Sequence, residues 1–138
     1  MDECIFCQIA SGKMESFKVY EDDDSFAFLD IHPAAPGHTL VVPKKHTADI
    51  FDIDEISLRR LAGSLRHIAS KIKNAIGSDI MIMQNNGRAA GQIVDHIHFH
   101  VIPRTEGDGI GLMRGMAELT KEQMEEIQNK IKEASSDD

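Results

Sequence analysis

Between residues 96 and 102 the chain reads His-Ile-His-Phe-His-Val-Ile, a histidine at every second position with an apolar residue in each gap. In extended chain, successive side chains point to opposite faces, so His96, His98 and His100 share one face and Ile97, Phe99 and Val101 share the other. A helix gives no such common face, because residues two apart do not face the same way. One apolar face and three titratable rings on the other describe either an active-site wall or a metal site. Alternate strand residues stand about 6.6 Å apart, which separates the backbones of His96 and His100 by roughly 13 Å. Metal–nitrogen bonds are about 2.0–2.1 Å, so two neighbouring rings could share an ion, but three could not. At least one ring is left for other work.

A neutral imidazole is a competent nucleophile toward phosphorus when its second nitrogen carries the proton and is held by an acceptor. The preceding segment, Asn85 to Gln92, suits a phosphoryl site: Gly87 and Gly91 allow close backbone approach, and Asn85 and Gln92 carry neutral amide donors. Oriented donors around the phosphoryl oxygens do most of the work in such a transfer. Cys4 and Cys7 form a single C-x-x-C. In a reducing compartment that spacing points to metal or redox chemistry rather than a structural disulfide. Its position near residue 1 disfavours a thioredoxin-like site, which needs a preceding strand.

The elements that must position these residues follow from periodicity. Cys4 to Ser11 forms a short helical turn with Ile5, Phe6 and Ile9 on its apolar side. Phe17–Tyr20 and Ser25–Leu29 form a hairpin across the acidic turn Glu21 to Asp24. Asp30 to Gly37, with Pro33 and Pro36, is a loop. Thr39–Val42 is a buried strand ended by Pro43. Leu58, Leu61, Leu65, Ile68, Ile72 and Ile76 recur at helical spacing and mark one long helix, capped by Asp52 with Glu55 and stopped at Gly77. Ile80–Gln84 is a strand, and the histidine strand is closed by Pro103. Thr120 and Gln123 form a capping box for a second helix over about 120–133, with Leu119 and Met124 as its hydrophobic staple. Its few apolar positions, Met124, Ile127 and Ile131, suit the edge of a core or another subunit. Ser135 to Asp138 reads as a frayed tail. The fold class expected is α+β, a five-stranded antiparallel sheet with one long central helix and a C-terminal helix.

At 138 residues this is one domain, and its hydrophobic fraction of 41% is far too high for a disordered chain. A formal net charge of −8 argues against non-specific nucleic-acid binding. Lys44, Lys45, Arg88 and Arg104 lie near the motif-bearing segments and could offset that field locally. No apolar run approaches the roughly 20 residues that span a bilayer, and the opening MDECIF has no signal-peptide pattern, so a cytoplasmic location is expected.

The HIHFHVI segment resembles the His-φ-His-φ-His-φ-φ motif of the histidine triad (HIT) superfamily. The likeness runs from Cys4 to about Gly109 and includes CIFCQI, VYEDDDSFAFLDI, PGHTLVVPKKH and NNGRAAGQ in order. It is similar above all to the Cys-containing branch found in bacteria and archaea, related to the histidine triad nucleotide-binding phosphoramidases. That resemblance implies a homodimeric, single-domain hydrolase acting on the α-phosphorus of a purine nucleotide, with a core over about 4–109. His98 would be the nucleophile, His100 would contact the phosphate and His38 would position the reacting ring. Asn85, Gly91 and Gln92 would hold phosphate, and Asp30 the ribose. Ile5, Phe6, Ile9, Phe28 and Ile31 would line the base slot. Cys4, Cys7, His46 and His96 would bind a structural zinc ion, while His32 and His67 match no family position and read as surface residues. Where many phosphoramidases carry serine or threonine after the loop's Gly-Gln, this chain has Ile93, which can donate no proton to a leaving amine. That departure keeps a dinucleoside polyphosphate hydrolase, or a nucleotide-binding protein with vestigial turnover, as alternatives. A uridylyltransferase is disfavoured, since that branch has glutamine at the position of His100.

Overall fold

A computed structural model describes residues 3–110 and 117–136. In chain order the elements are α1 (Ile5–Ala10), β1 (Lys18–Glu21), β2 (Ser25–Leu29), β3 (Thr39–Pro43), α2 (Glu55–Ile76), β4 (Asp79–Gln84), β5 (Phe99–Arg104) and α3 (Lys121–Glu133). The five strands form one antiparallel sheet in the order β1-β2-β3-β5-β4. The expected α+β architecture is therefore what the chain adopts.

Alternation in β2 and β3 sorts the two faces. Ala27, Leu29 and Val41 pack with Leu61, Leu65, Ile68 and Ile72 of α2 and with Met124 and Ile131 of α3. Phe26, Phe28, Leu40 and Val42 turn the other way, against Phe6 and Ile9 of α1. Ile97 and Val101 join the α2 side, which leaves the intervening histidines on the α1 side. The C-terminal helix thus covers the core of its own chain. Its capping box is complete, with Thr120 accepting from the Gln123 N–H and Gln123 from the Thr120 N–H.

Four expectations are corrected. The cap of α2 is Asp54, whose Oδ1 accepts from the Ser57 N–H at 2.7 Å; Asp52 instead accepts from the Ala48 N–H inside the preceding turn. The β5 ladder begins at Phe99 rather than His96. In antiparallel register Val41 faces Phe99, so Ile97 would next face Pro43, which has no N–H to give. The Ile97 N–H goes to the Thr47 carbonyl instead, at 2.8 Å. The tail is not loose at its start, because Asn74 donates to the Ser135 carbonyl and Ser136 bonds the His67 ring; Asp137 and Asp138 lie outside the described residues. His67 itself is half-buried and lies tilted against the Tyr20 ring, whereas His32 is exposed as expected.

Gly37 precedes His38 with φ of +93°, and a Cβ there would stand 3.1 Å from Pro103 Cγ. Both the left-handed backbone and the contact penalise any side chain. Gly37→Ala should destabilise the fold by roughly 1–3 kcal/mol in urea denaturation; an unchanged midpoint would show that the turn tolerates a side chain.

Candidate active site

The rings on the α1 face are buried: His96 is 0% exposed, His98 6% and His100 4%. Buried imidazoles must place their single proton, and the partners here settle where. His96 Nε2 donates to the Pro43 carbonyl at 2.8 Å, which leaves its lone pair on Nδ1. His98 Nδ1 donates to the carbonyl of His96 at 2.8 Å, which puts its lone pair on Nε2. Phe6 meets the His98 ring edge-on at 5.1 Å and fixes its plane from the helix side.

A second chain of protons runs through His38. The Ala34 N–H donates to His38 Nδ1 at 2.9 Å, so the neutral ring carries its proton on Nε2. That proton faces His100 Nδ1 at 3.0 Å, which in turn assigns the His100 proton to Nε2. Asp30, 2% exposed, sends Oδ1 to the His32 N–H and places Oδ2 at 3.6 Å from His38 Nε2. Asp30, His38 and His100 lie close enough together to suggest a metal group. His38 accepts at Nδ1 and donates at Nε2, so it has no lone pair left for an ion, and the two rings form a directed hydrogen-bond chain. The outcome is two adjacent rings of opposite function: an Nε2 lone pair on His98 and an Nε2–H donor on His100, with ring centroids 5.0 Å apart.

Cys4, Cys7, His46 and His96 converge separately. His96 Nδ1 lies 3.4 Å from Cys4 Sγ and 3.5 Å from Cys7 Sγ, and His46 Nδ1 lies 3.4 Å from Cys7 Sγ. Bonds of about 2.0–2.3 Å at tetrahedral angles separate neighbouring ligand atoms by about 3.3–3.8 Å, so the spacing fits a zinc ion. Two sulfurs and two imidazoles are also a donor set that zinc prefers. Burial, with the Cys4 thiol alongside, pushes Cys7 up to about 11, and burial lowers His96 to about 4. A neutral His96 is the form a ligand requires.

The glycine-rich loop is organised by its own amides. Gln92, 4% exposed, accepts from the Gly87 N–H and donates to the carbonyls of Ala48 and Val94. Asn85 donates to the Ala90 carbonyl, and Gly91 has φ of +97°, where an added Cβ would stand 3.2 Å from that amide. Both side-chain amides thus hold the shape of the loop. Of the apolar residues, Phe6, Ile9 and Phe28 lie in the packed cluster on the α1 face, whereas Ile5 and Ile31 are 42% and 67% exposed. Ile93 is 63% exposed. Lys44 is paired with Glu21 and Arg104 with Asp108, so only part of the expected positive field is available. The residues that sequence reasoning missed act through their backbones: Ala34, Pro43 and the carbonyl of His96. Backbone groups leave no mark in residue type, although Pro43 was conspicuous as the end of a strand.

With His96 held well below its ordinary 6.5, the unfolded chain binds a proton that the fold does not. In metal-stripped protein, stability should fall as pH drops from about 6.5 toward about 4. NMR titration of the His96 ring should give a midpoint near 4; a midpoint near 6.5 would contradict the buried neutral ring.

A HIT domain profile matches residues 11–107. The adenosine 5′-monophosphoramidase of Schizosaccharomyces pombe is 39% identical, covering 94% of this chain and 98% of its own. A crystal structure of a hypothetical histidine triad nucleotide-binding protein from Sulfolobus tokodaii superposes with TM-score 0.85 at 40% identity, over 94% of this chain and 90% of that one. A Zn-bound histidine triad family protein from Mycobacterium smegmatis gives TM-score 0.83 at 35% identity, over 95% and 91%. With a row of alternating imidazoles, a matching sheet and a profile spanning most of its length, this chain belongs to the HIT family.

Proposed function

We propose that the chain is a nucleotide-binding hydrolase acting at the α-phosphorus of purine nucleoside phosphoramidates, of the adenosine 5′-monophosphoramidase type. The observation that carries this reading is the bond from His98 Nδ1 to the His96 carbonyl, which fixes a lone pair on Nε2. In the first step that lone pair attacks phosphorus and the P–N bond breaks, its electron pair leaving with the amine, which takes a proton from solvent. In the second step water attacks the nucleotidyl-His98 adduct, releasing the nucleoside monophosphate and regenerating the ring. His100 Nε2–H stabilises charge on a non-bridging oxygen, and His38, backed by Asp30, keeps that proton in place. Asn85, Gly91 and Gln92 frame the phosphate, the Asp30 segment receives the ribose, and Ile31 with Ile5 offers exposed apolar surface to the base above Phe6, Ile9 and Phe28. The naming of the S. pombe relative as a monophosphoramidase supports the substrate class.

A second reading, dinucleoside polyphosphate hydrolysis, is favoured by Ile93 alone, since a polyphosphate leaves as a stable anion and needs no acid. Cys4, Cys7, His46 and His96 would hold zinc as a closed structural site that ties the N-terminal helix to the sheet. The edge strand β4, with Ile82 47% exposed, offers a second copy an unpaired ladder, in keeping with a homodimer. Among the described residues no helix is long and apolar enough to cross a membrane, and a reduced cysteine pair suits the cytoplasm.

Rapid quench of the protein with adenosine phosphoramidate should trap a covalent nucleotidyl adduct, absent in His98→Ala, whose turnover should fall by at least about 10³-fold. Turnover of diadenosine tetraphosphate above that of the phosphoramidate would favour the second reading, and AMP binding without any adduct would reduce the chain to a binder. Native mass spectrometry should return two chains with two zinc ions, and Cys7→Ser should lose the metal; metal-free monomers would refute both assignments.

A further inference from the structure

A cleft of about 220 Å³ lies on the opposite face of the sheet from the histidines, between the β2–β3 end and the first turns of α2. Its position follows from strand alternation. Ser25 points the same way as Ala27 and Leu29, toward α2, and Pro43 the same way as Val41. Ser25 is 1% exposed, and its hydroxyl has no hydrogen-bond partner among the described residues. A hydroxyl buried in that state is costly unless something else satisfies it. Thr47, 7% exposed, also lines the cleft.

Three cations from two elements surround this floor: Lys44 and Lys45 after β3, and Arg60 from α2. Two carboxylates, Asp23 and Asp24, share the rim. Lys44 is held by Glu21 at 2.7 Å, and Arg60 stands 3.8 Å from Asp24 with both side chains more than half exposed. Lys45 makes no ion pair among the described residues. The three cations are thus set among carboxylates, with Glu21 on Lys44, Asp24 beside Arg60 and Asp54, whose carboxyl Ser57 and then Lys45 lower, so the charges around the cleft come close to balance. Donors that converge from a buried hydroxyl and from cations on separate elements suit an ion with several acceptor oxygens in different directions.

We propose that this cleft is a second oxyanion site, which takes a phosphate group independently of the triad. The segment that forms its wall, Pro43 to Thr47, also carries His46, the carbonyl that holds His96 and the carbonyl that holds the Ile97 N–H. An anion bound here steadies the backbone from which the histidine row hangs.

Titration of ¹⁵N-labelled protein with inorganic phosphate, at ionic strength held constant with chloride, tests the site. Saturable shifts are expected at the amides of Ser25, Lys45, Thr47 and Arg60, and they should persist with AMP at saturation. AMP alone moving those amides would assign the site to nucleotide phosphate; AMP leaving them still would assign it to the free ion. Lys45→Glu should weaken phosphate at least tenfold and Ser25→Ala several-fold, both melting within a few degrees of the wild type. Should Ser25→Ala fold poorly, Lys45→Glu, an exposed change, decides. Phosphate shifts confined to the histidine face, or Lys45→Glu titrating like the wild type, would overturn the proposal.

Discussion

The carbonyl oxygen of Pro43 takes the ring proton of His96, and the arrangement of the imidazole row begins there. Because Pro43 has no N–H to offer on the β5 side, the chain before Phe99 leaves the sheet and is tied to Thr47. That departure turns the carbonyl of His96 toward the His98 ring, where it takes a proton at 2.8 Å. One missing N–H therefore bears on which nitrogen of His96 faces the thiols and which nitrogen of His98 keeps its lone pair.

The two histidine groups are kept apart by how their protons are spent. At the Cys/His cluster, lone pairs converge at separations that a tetrahedral cation spans. From the Ala34 amide through His38 to His100, each gap is filled by a proton running in a single direction, with the Asp30 carboxylate 3.6 Å from His38 Nε2. Burial raises the stakes for both, since an unplaced proton or lone pair away from water is expensive. Neutral rings with directed protons are the arrangement that a packed sheet face tolerates.

Much of this was legible beforehand. The long helix was fixed by its apolar stripe and by Gly77, and the C-terminal helix by Thr120 and Gln123, because caps and periodicity are local physics. The alternation of His96, His98 and His100 foretold a shared face even where regular pairing stops. The N-terminus of α2 was misplaced by two residues because Asp52 and Asp54 are chemically alike, and only the turn from Asp49 to Ile53 decides between them. The orientation of the Gln92 and Asn85 amides was out of reach, as it depends on carbonyls 44 and 5 residues away. Charges near the motifs were visible, but not that Glu21 and Asp108 would claim Lys44 and Arg104.

Phe6 stands between the two cysteines in sequence and against both His96 and His98 in space. The helix that presents it has six residues, too short to hold its shape alone. Whatever grips Cys4 and Cys7 therefore also clamps the aromatic wall behind the His98 ring. Under the proposed function, a loss of turnover on chelation would report a slackened hinge rather than a missing Lewis acid, since the ion would rivet a wall it never touches.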